Sequence, residues 1–281
     1  MLLGLALIFF KREETDKQVR FVPDYMKQLE EKERLIRELE IARNVQQKFL
    51  PVNVPEIPRY QIAAYCQPAW EVGGDYYDYF FIEDKNRLGI TIGDVSNKGV
   101  SAAFYMTMVK GFLKSLALHL QSPGEILSQA NTLFYENVER GHFISMIFGV
   151  LDYSKHEFIF ARAGHNPLLL LFAKSSEGQW LTPQGLAIGL TNDHQFRNSI
   201  KEEKFSLSIG DVLVLYTDGY PESMNENSEE FGEENLEKII KENTHLPPQE
   251  IILLLEQQVK HWEGKRPASD DRTIVVIKRT A

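Results

Sequence analysis

The spacing of apolar positions changes once along the chain, near residue 51. Residues 24–50, DYMKQLEEKERLIRELEIARNVQQKFL, contain neither glycine nor proline and are rich in strong helix formers. They predict one long helix, with Asp24 after Pro23 as its N-cap. Leu35, Leu39, Ala42, Gln46 and Phe49 follow one another at alternating steps of four and three, the spacing of a coiled-coil seam, while Leu29 and Ile36 lie on a shifted one. The helix is therefore expected to pair with its own copy in a homodimer. Pro51, Pro55 and Pro58 then end it and mark a boundary.

From Tyr60 onward short apolar runs are bounded by Gly, Asn and Pro. These predict strands at 60–66, 76–82, 88–93, 143–151, 157–163, 167–172, 211–217 and 272–278. Helical spacing returns in GVSAAFYMTMVKGFLKSLALHL after Gly99, and again in SPGEILSQANTLFYENV. In the second, Ser122 is placed to cap, Pro123 to open the first turn and Glu125 to complete a capping box. Two further helices fit 233–242 and 248–262, and the acidic stretch ESMNENSEEFGEE at 222–234 reads as a solvated loop. The class is α+β. Three parts follow: an apolar stub and charged linker at 1–23, a linker helix at 24–50, and one folded domain at 51–281.

Composition narrows the chemistry. With 281 residues and 43% hydrophobic content the chain can bury a large core. Its formal net charge is −9, and residues 11–50 are nearly balanced at 10 Lys+Arg against 9 Asp+Glu, so the acidity belongs to the folded domain. That excludes the basic face needed for nonspecific nucleic-acid binding. A phosphorylated substrate would have to be met by local cations or a bound metal. Cys66 is the single cysteine, which rules out an internal disulfide framework and a cysteine zinc site, and no cleavable secretory signal is visible. A reducing cytoplasm is the expected setting. The ten apolar residues MLLGLALIFF would extend about 15 Å as a helix against a hydrocarbon core of roughly 30 Å. They cannot cross a bilayer alone, so membrane contact through residues 1–10 is the lesser alternative to a partner-facing helix start.

The chemistry-bearing residues are acids at strand ends. LGITIGDVSNKGVSAAF, residues 88–104, puts Asp94 where a carboxylate can be a turn residue, a helix cap or a ligand for something positive. A hairpin pairing 76–82 with 88–93 about a turn near Asp84 and Lys85 would set Asp75 opposite Asp94. Opposed carboxylates repel unless a cation or a shared proton offsets them, although a slipped register would part them. DVLVLYTDGYPES and ASDDRTIVVIKR put Asp218, Asp270 and Asp271 in comparable positions. Carboxylates without His or Cys among them are hard oxygen ligands that suit Mg²⁺ or Mn²⁺ and not zinc.

In order along the chain, IARNVQQKFLP, EVGGDYYDYF, GDVSNKGVSAAFYM, AGHNPLLL, GLAIGL, GDVLVLYTDGYPESMN, FGEENL and DDRTIVVI resemble the metal-dependent protein phosphatases of the protein phosphatase 2C-like (PP2C-like, PPM) family. The likeness covers residues 40–279 and is to the bacterial SpoIIE and RsbU branch. Asn97 departs from the glycine more usual there, a change that a left-handed turn tolerates. The resemblance implies an α-β-β-α sandwich, two packed antiparallel sheets flanked by helices, preceded by the long N-terminal helix. It implies two Mn²⁺ or Mg²⁺ ions, one held by Asp75, Asp94 and the Val95 carbonyl, the other by Asp94, Asp218 and Asp270. Asp94 then bridges, Asp75 and Asp94 form the catalytic pair, and Asp271 lies behind the ligands. The implied activity is hydrolysis of phosphoserine or phosphothreonine on an anti-sigma-factor antagonist or similar signalling protein by a metal-activated water, with no covalent phosphoenzyme. The alternative is a noncatalytic partner-binding module on the same fold; the presence of all four ligand acids favours the enzyme.

Rival sites read as structural. Cys66 in AYCQPAW lacks a Cys-x5-Arg loop and reads as a small buried apolar residue. His165 in AGHNP reads as part of a tight turn joining two strands, and Lys98 as a solvated turn lysine. Gly73 and Gly74 allow a sharp turn beside Asp75. Glu71 and Val72 stand where eukaryote-like members carry a phosphate-binding arginine, so substrate affinity is expected to come from protein contacts.

Overall fold

In the computed structural model, which describes residues 2–82, 86–120, 122–175 and 177–281 and side chains from residue 25 onward, the chain forms two compact units, Met1–Val45 and Gln46–Ala281. Helix α1 runs Leu2–Gln47. It passes through Pro23, so Asp24 is not its N-cap, because one missing backbone donor does not end a helix whose neighbours all favour it. It stops three residues short of the predicted end, in a turn closed by Phe49 N donating to Gln46 O at 2.9 Å. Among the described residues no helix is long and apolar enough to cross a membrane.

The second unit runs β1 (Tyr60–Gln67), β2 (Tyr76–Ile82), β3 (Arg87–Val95), α2 (Val100–Leu116), α3 (Pro123–Asn137), β4 (Ile144–Asp152), β5 (Glu157–Ala163), β6 (Leu168–Leu171), β7 (Gly178–Leu181), α4 (Asp193–Ser199), β8 (Glu202–Ser206), β9 (Val212–Tyr216), α5 (Gly232–Glu242), α6 (Pro248–Glu263) and β10 (Arg272–Arg279). The strands make two antiparallel sheets, in the orders β1-β10-β9-β6-β7 and β2-β3-β4-β5-β8. Between them lies a core that includes Leu88, Ile90, Ile92, Phe158, Phe160, Leu213, Leu215 and Val275. On the outer face of the second sheet, Met106, Val109, Leu113, Ile126 and Phe134 of α2 and α3 pack on Tyr76, Phe80 and Phe148. On the other, Leu236, Ile240, Ile251, Leu255 and Val259 of α5 and α6 cover Leu169, Val214, Tyr216 and Val276. The result is the four-layer α-β-β-α arrangement. Central strands are buried on both faces, which is why VLVLY and TIVVI read as unbroken apolar runs; each large side chain so buried contributes roughly 1.5–3 kcal/mol.

All eight predicted strands are present. β7, β8 and α4 were not anticipated: β8, EEKFS, alternates between exposed and half-buried positions at a sheet edge, where polar residues are tolerated and the apolar signal is weak. Ser122 caps α3 by accepting from Glu125 N at 3.1 Å, while its own hydroxyl donates to Glu202 of β8 at 2.5 Å. The hairpin has the predicted register, with Tyr76 opposite Gly93 and Phe80 opposite Gly89; its turn at Asp84 and Lys85 lies outside the described residues. The ladder begins at Tyr76. Asp75 therefore sits just beyond β2, whereas Asp94 continues in β3 opposite Ser145 of β4.

Candidate active site

Both sheets deliver acids to one place. Asp94 is the penultimate residue of β3, Asp75 immediately precedes β2, Asp218 follows β9 and Asp270 precedes β10. Thr217 N donates to Thr273 O at 3.0 Å, which holds the last two chain segments together. Gly219 lets them touch, since a Cβ there would overlap the Asp271 carbonyl. Gly74 does the same for the first pair: a Cβ there would lie 2.9 Å from Val95 O and 3.3 Å from Asp94 Oδ1. The backbone before Asp75 thus rests against both oxygen groups. After Val95, Asn97 adopts a left-handed φ of 71°, as the turn requires. Gly99, at φ 81° and ψ −151°, opens α2 in a region that only glycine enters freely.

Asp75 is 4% exposed. Its Oδ2 accepts from Thr217 Oγ1 at 2.8 Å, and Thr217 Oγ1 accepts in turn from Thr273 N at 2.9 Å. Burial, then the charges of Asp94 and Asp271, push the Asp75 carboxyl well above the usual carboxylate range. Asp94 is also raised, by burial first and then by Asp218, Asp270 and Asp271, with Lys98 pulling the other way. Asp218 is raised by burial and Asp270, and neighbouring Glu222 by burial and Asp218. The acids share one field that calls for positive charge. They do not form a closed cage: among the described residues, no three His, Cys, Asp or Glu side chains converge as a ready-made ion site.

Asp271 has a different task. Its carboxylate accepts from Ala69 N at 2.7 Å, Gly74 N at 2.6 Å and Asp75 N at 3.5 Å, so it clamps the loop that carries Asp75. From the other side Gln46 Nε2 donates to Gly73 O at 2.6 Å, while Gly73 N donates to Gln46 Oε1 at 3.1 Å. The amide of Gln46, a residue on the expected coiled-coil seam, pairs with loop backbone. Lys98 is not merely solvated. Its Nζ lies 2.8 Å from Asp270 Oδ2 and donates to Ser269 O at 2.6 Å, a long-range pairing that turn propensity could not reveal.

The Thr217, Gln46 and Lys98 contacts escaped the sequence reading. The threonines of YTDG and DDRT, one next to an acid and the other two residues after one, were the available signal. His165 follows Gly164, whose φ is 67°, and crosses from β5 in one sheet to β6 in the other. It is 3% exposed, its Nδ1 lies 2.8 Å from Ser145 Oγ, and burial lowers its pKa to about 3, so it is neutral. Burial pushes the Cys66 thiol far up, which removes it as a nucleophile.

Oxygen-only donors, a carbonyl beside a carboxylate, and carboxyls strained by mutual repulsion fit a hard divalent cation and not zinc. A two-sheet sandwich with helices outside and acids gathered between the sheets is the architecture of PP2C-type phosphatases. The SiaA-PP2C domain of Pseudomonas aeruginosa shares it, with a TM-score of 0.76 at 20% identity over 88% of this chain and 98% of that one. RsbX, crystallised in complex with magnesium, has a TM-score of 0.58 at 15% identity over 80% of this chain and 98% of its own. Phosphoserine phosphatase RsbU of Bacillus subtilis (strain 168) is 33% identical over 243 residues, 86% of this chain and 70% of RsbU. The family model for Stage II sporulation protein E (SpoIIE) matches residues 84–280, a segment that contains Asp94, Asp218 and Asp270 and begins after Asp75. This chain belongs to the SpoIIE family.

Proposed function

We propose that the chain is a Mn²⁺- or Mg²⁺-dependent protein phosphatase acting on phosphoserine or phosphothreonine. Asp75, Asp94 and the Val95 carbonyl would hold one cation, and Asp94, Asp218 and Asp270 the other. When bound, the two cations lower the pKa of a shared water and offset negative charge building on the phosphoryl oxygens. The observation that carries the reading is the place of Asp94: at Gly74 the backbone before Asp75 rests against Asp94 Oδ1 and Val95 O, and the charges of Asp218 and Asp270 act on Asp94 from the ends of the other sheet's strands. A carboxylate in that position is suited to bridge. Thr217 orients Asp75 by its hydroxyl, and Asp271 and Gln46 fix the loop behind it. The magnesium in the RsbX complex supports a divalent ion on this fold.

RsbU is a phosphoserine phosphatase by name, which supports a phosphoserine protein as substrate; an anti-sigma-factor antagonist is the proposed kind. Glu71 and Val72, and no arginine, stand in the stretch just before Asp75, so docking contacts between proteins supply affinity. The protein acts in the cytoplasm as a homodimer through residues 24–50, where Leu29, Leu35, Ile36 and Ile41 are exposed along α1 and supply an apolar surface for a second copy.

Hydrolysis of p-nitrophenyl phosphate tests the catalytic reading. The reaction should require Mn²⁺, stop in EDTA, resume when Mn²⁺ is restored, and ignore thiol-blocking reagents. Asp94→Asn should lower kcat by at least about 100-fold, the scale of losing one electrostatic stabiliser, with the circular dichroism spectrum unchanged. Near-wild-type turnover by folded, Mn²⁺-saturated Asp94→Asn would overturn the assignment.

A further inference from the structure

The turn between β3 and α2 carries a positive charge for which the chemistry above has no use. Both partners of the Lys98 ammonium are oxygens of a single segment, Asp270 Oδ2 at 2.8 Å and Ser269 O at 2.6 Å. The other oxygen of Asp270, Oδ1, accepts from Asp271 N at 2.9 Å. Both oxygens of this carboxylate are therefore already engaged, and any ligand it binds has to share or displace one of these donors. The ammonium also favours the charged forms of Asp94, Asp218 and Glu222. Its contacts with Asp270 and Ser269 place Lys98 at the second of the two proposed cation sites.

Its anchorage allows it to leave. The residue lies between Asn97 and Gly99, both at positive φ, and nothing lies within 4 Å of where a Gly99 side chain would be. The Lys98 side chain is 44% exposed, against 27% for its partner Asp270, so it can swing into water without opening the core.

We propose that Lys98 is a tethered cation that competes with the second divalent ion for Asp270, so that the Asp94–Asp218–Asp270 site fills more weakly than the Asp75–Asp94 site. The proposal rests on the two-cation reading given above. An ammonium and a divalent ion drawn to the same carboxylate repel one another, and the lysine must withdraw before the second site fills. The protein then carries its own threshold for divalent ion concentration, set by one side chain.

Calorimetric titration of Mn²⁺ into the metal-stripped full chain tests this directly. Wild type should show two unequal sites, and Asp270→Asn should lose the weaker one. Lys98→Gln should tighten the weaker site roughly ten-fold, the effect of about one pKa unit of electrostatic opposition removed, and leave the tighter site within about two-fold. Lys98→Arg, which keeps the charge, should bind like wild type. A weaker site that is unchanged or loosened in Lys98→Gln overturns the competition while leaving two-site binding intact. A wild-type protein that binds no Mn²⁺ would instead sink the two-cation reading, and this inference with it.

Discussion

Asp94 and Asp271 are both aspartates at strand ends, yet the groups around them give them different work. Asp94 faces other carboxylates, whereas Asp271 faces three backbone N–H groups. The acids themselves were legible in the sequence, but the groups they face were not, because a donor set made of backbone has no residue-type signature. Removing the Asp271 carboxylate leaves those donors unsatisfied in a buried loop. Asp271→Ala should therefore cost about 2–4 kcal/mol, with Asp271→Asn costing less because one acceptor survives. Urea unfolding of the three proteins checks this, and equal midpoints would refute the clamp. His165 gives a pH dependence of definite sign. Its pKa is about 3 when folded, against an ordinary 6.5, so the unfolded chain takes up a proton that the folded chain refuses. This contribution is complete above pH 6.5 and is lost as pH falls toward 3. His165→Asn should flatten the slope of unfolding free energy between pH 7 and pH 5; an unaltered slope would show that the residue is not held neutral.

At the level of elements, legibility followed burial. β9 and β10 are covered on both faces and announced themselves as apolar runs; β7 and β8 are sheet edges whose half-polar sequences resemble loops. Helix α1 was legible as a helix and misread in detail. Gln46, in its last turn, grips Gly73, two residues before Asp75. A rotation of that turn would be passed directly to the loop behind a proposed ligand. Leu35 is 56% exposed on the preceding part of the helix. Replacing Leu35 and Leu39 by Asp should convert a dimer to a monomer in sedimentation and change the Mn²⁺ concentration needed for activity. A wild-type monomer, or a double mutant still dimeric with unchanged kinetics, would reduce α1 to a spacer. Gln46→Ala should raise the Mn²⁺ requirement without altering the oligomer, as read by activity against Mn²⁺ concentration beside a sedimentation run.

Across the whole molecule the candidate site belongs to no single stretch. Thr217 and Asp75 are hydrogen-bonded across 142 residues of sequence, and the acids come from both sheets. Separate strand ends could be recognised from turn chemistry, but their convergence depends on how the two sheets stack, with Gly74 and Gly219 permitting the close approaches. The domain is acidic, in a chain of net charge −9, and concentrates several of those charges where burial disfavours them. Such an arrangement is stable when cations balance it. The most direct measurement is therefore an anomalous difference map at the manganese edge from a crystal soaked in Mn²⁺. Two peaks are predicted, each within about 2.5 Å of carboxylate oxygens, one between Asp75 and Asp94 with Val95 O, the other among Asp94, Asp218 and Asp270. No peak between the sheets, or peaks that leave Asp94 untouched, would contradict the proposed chemistry.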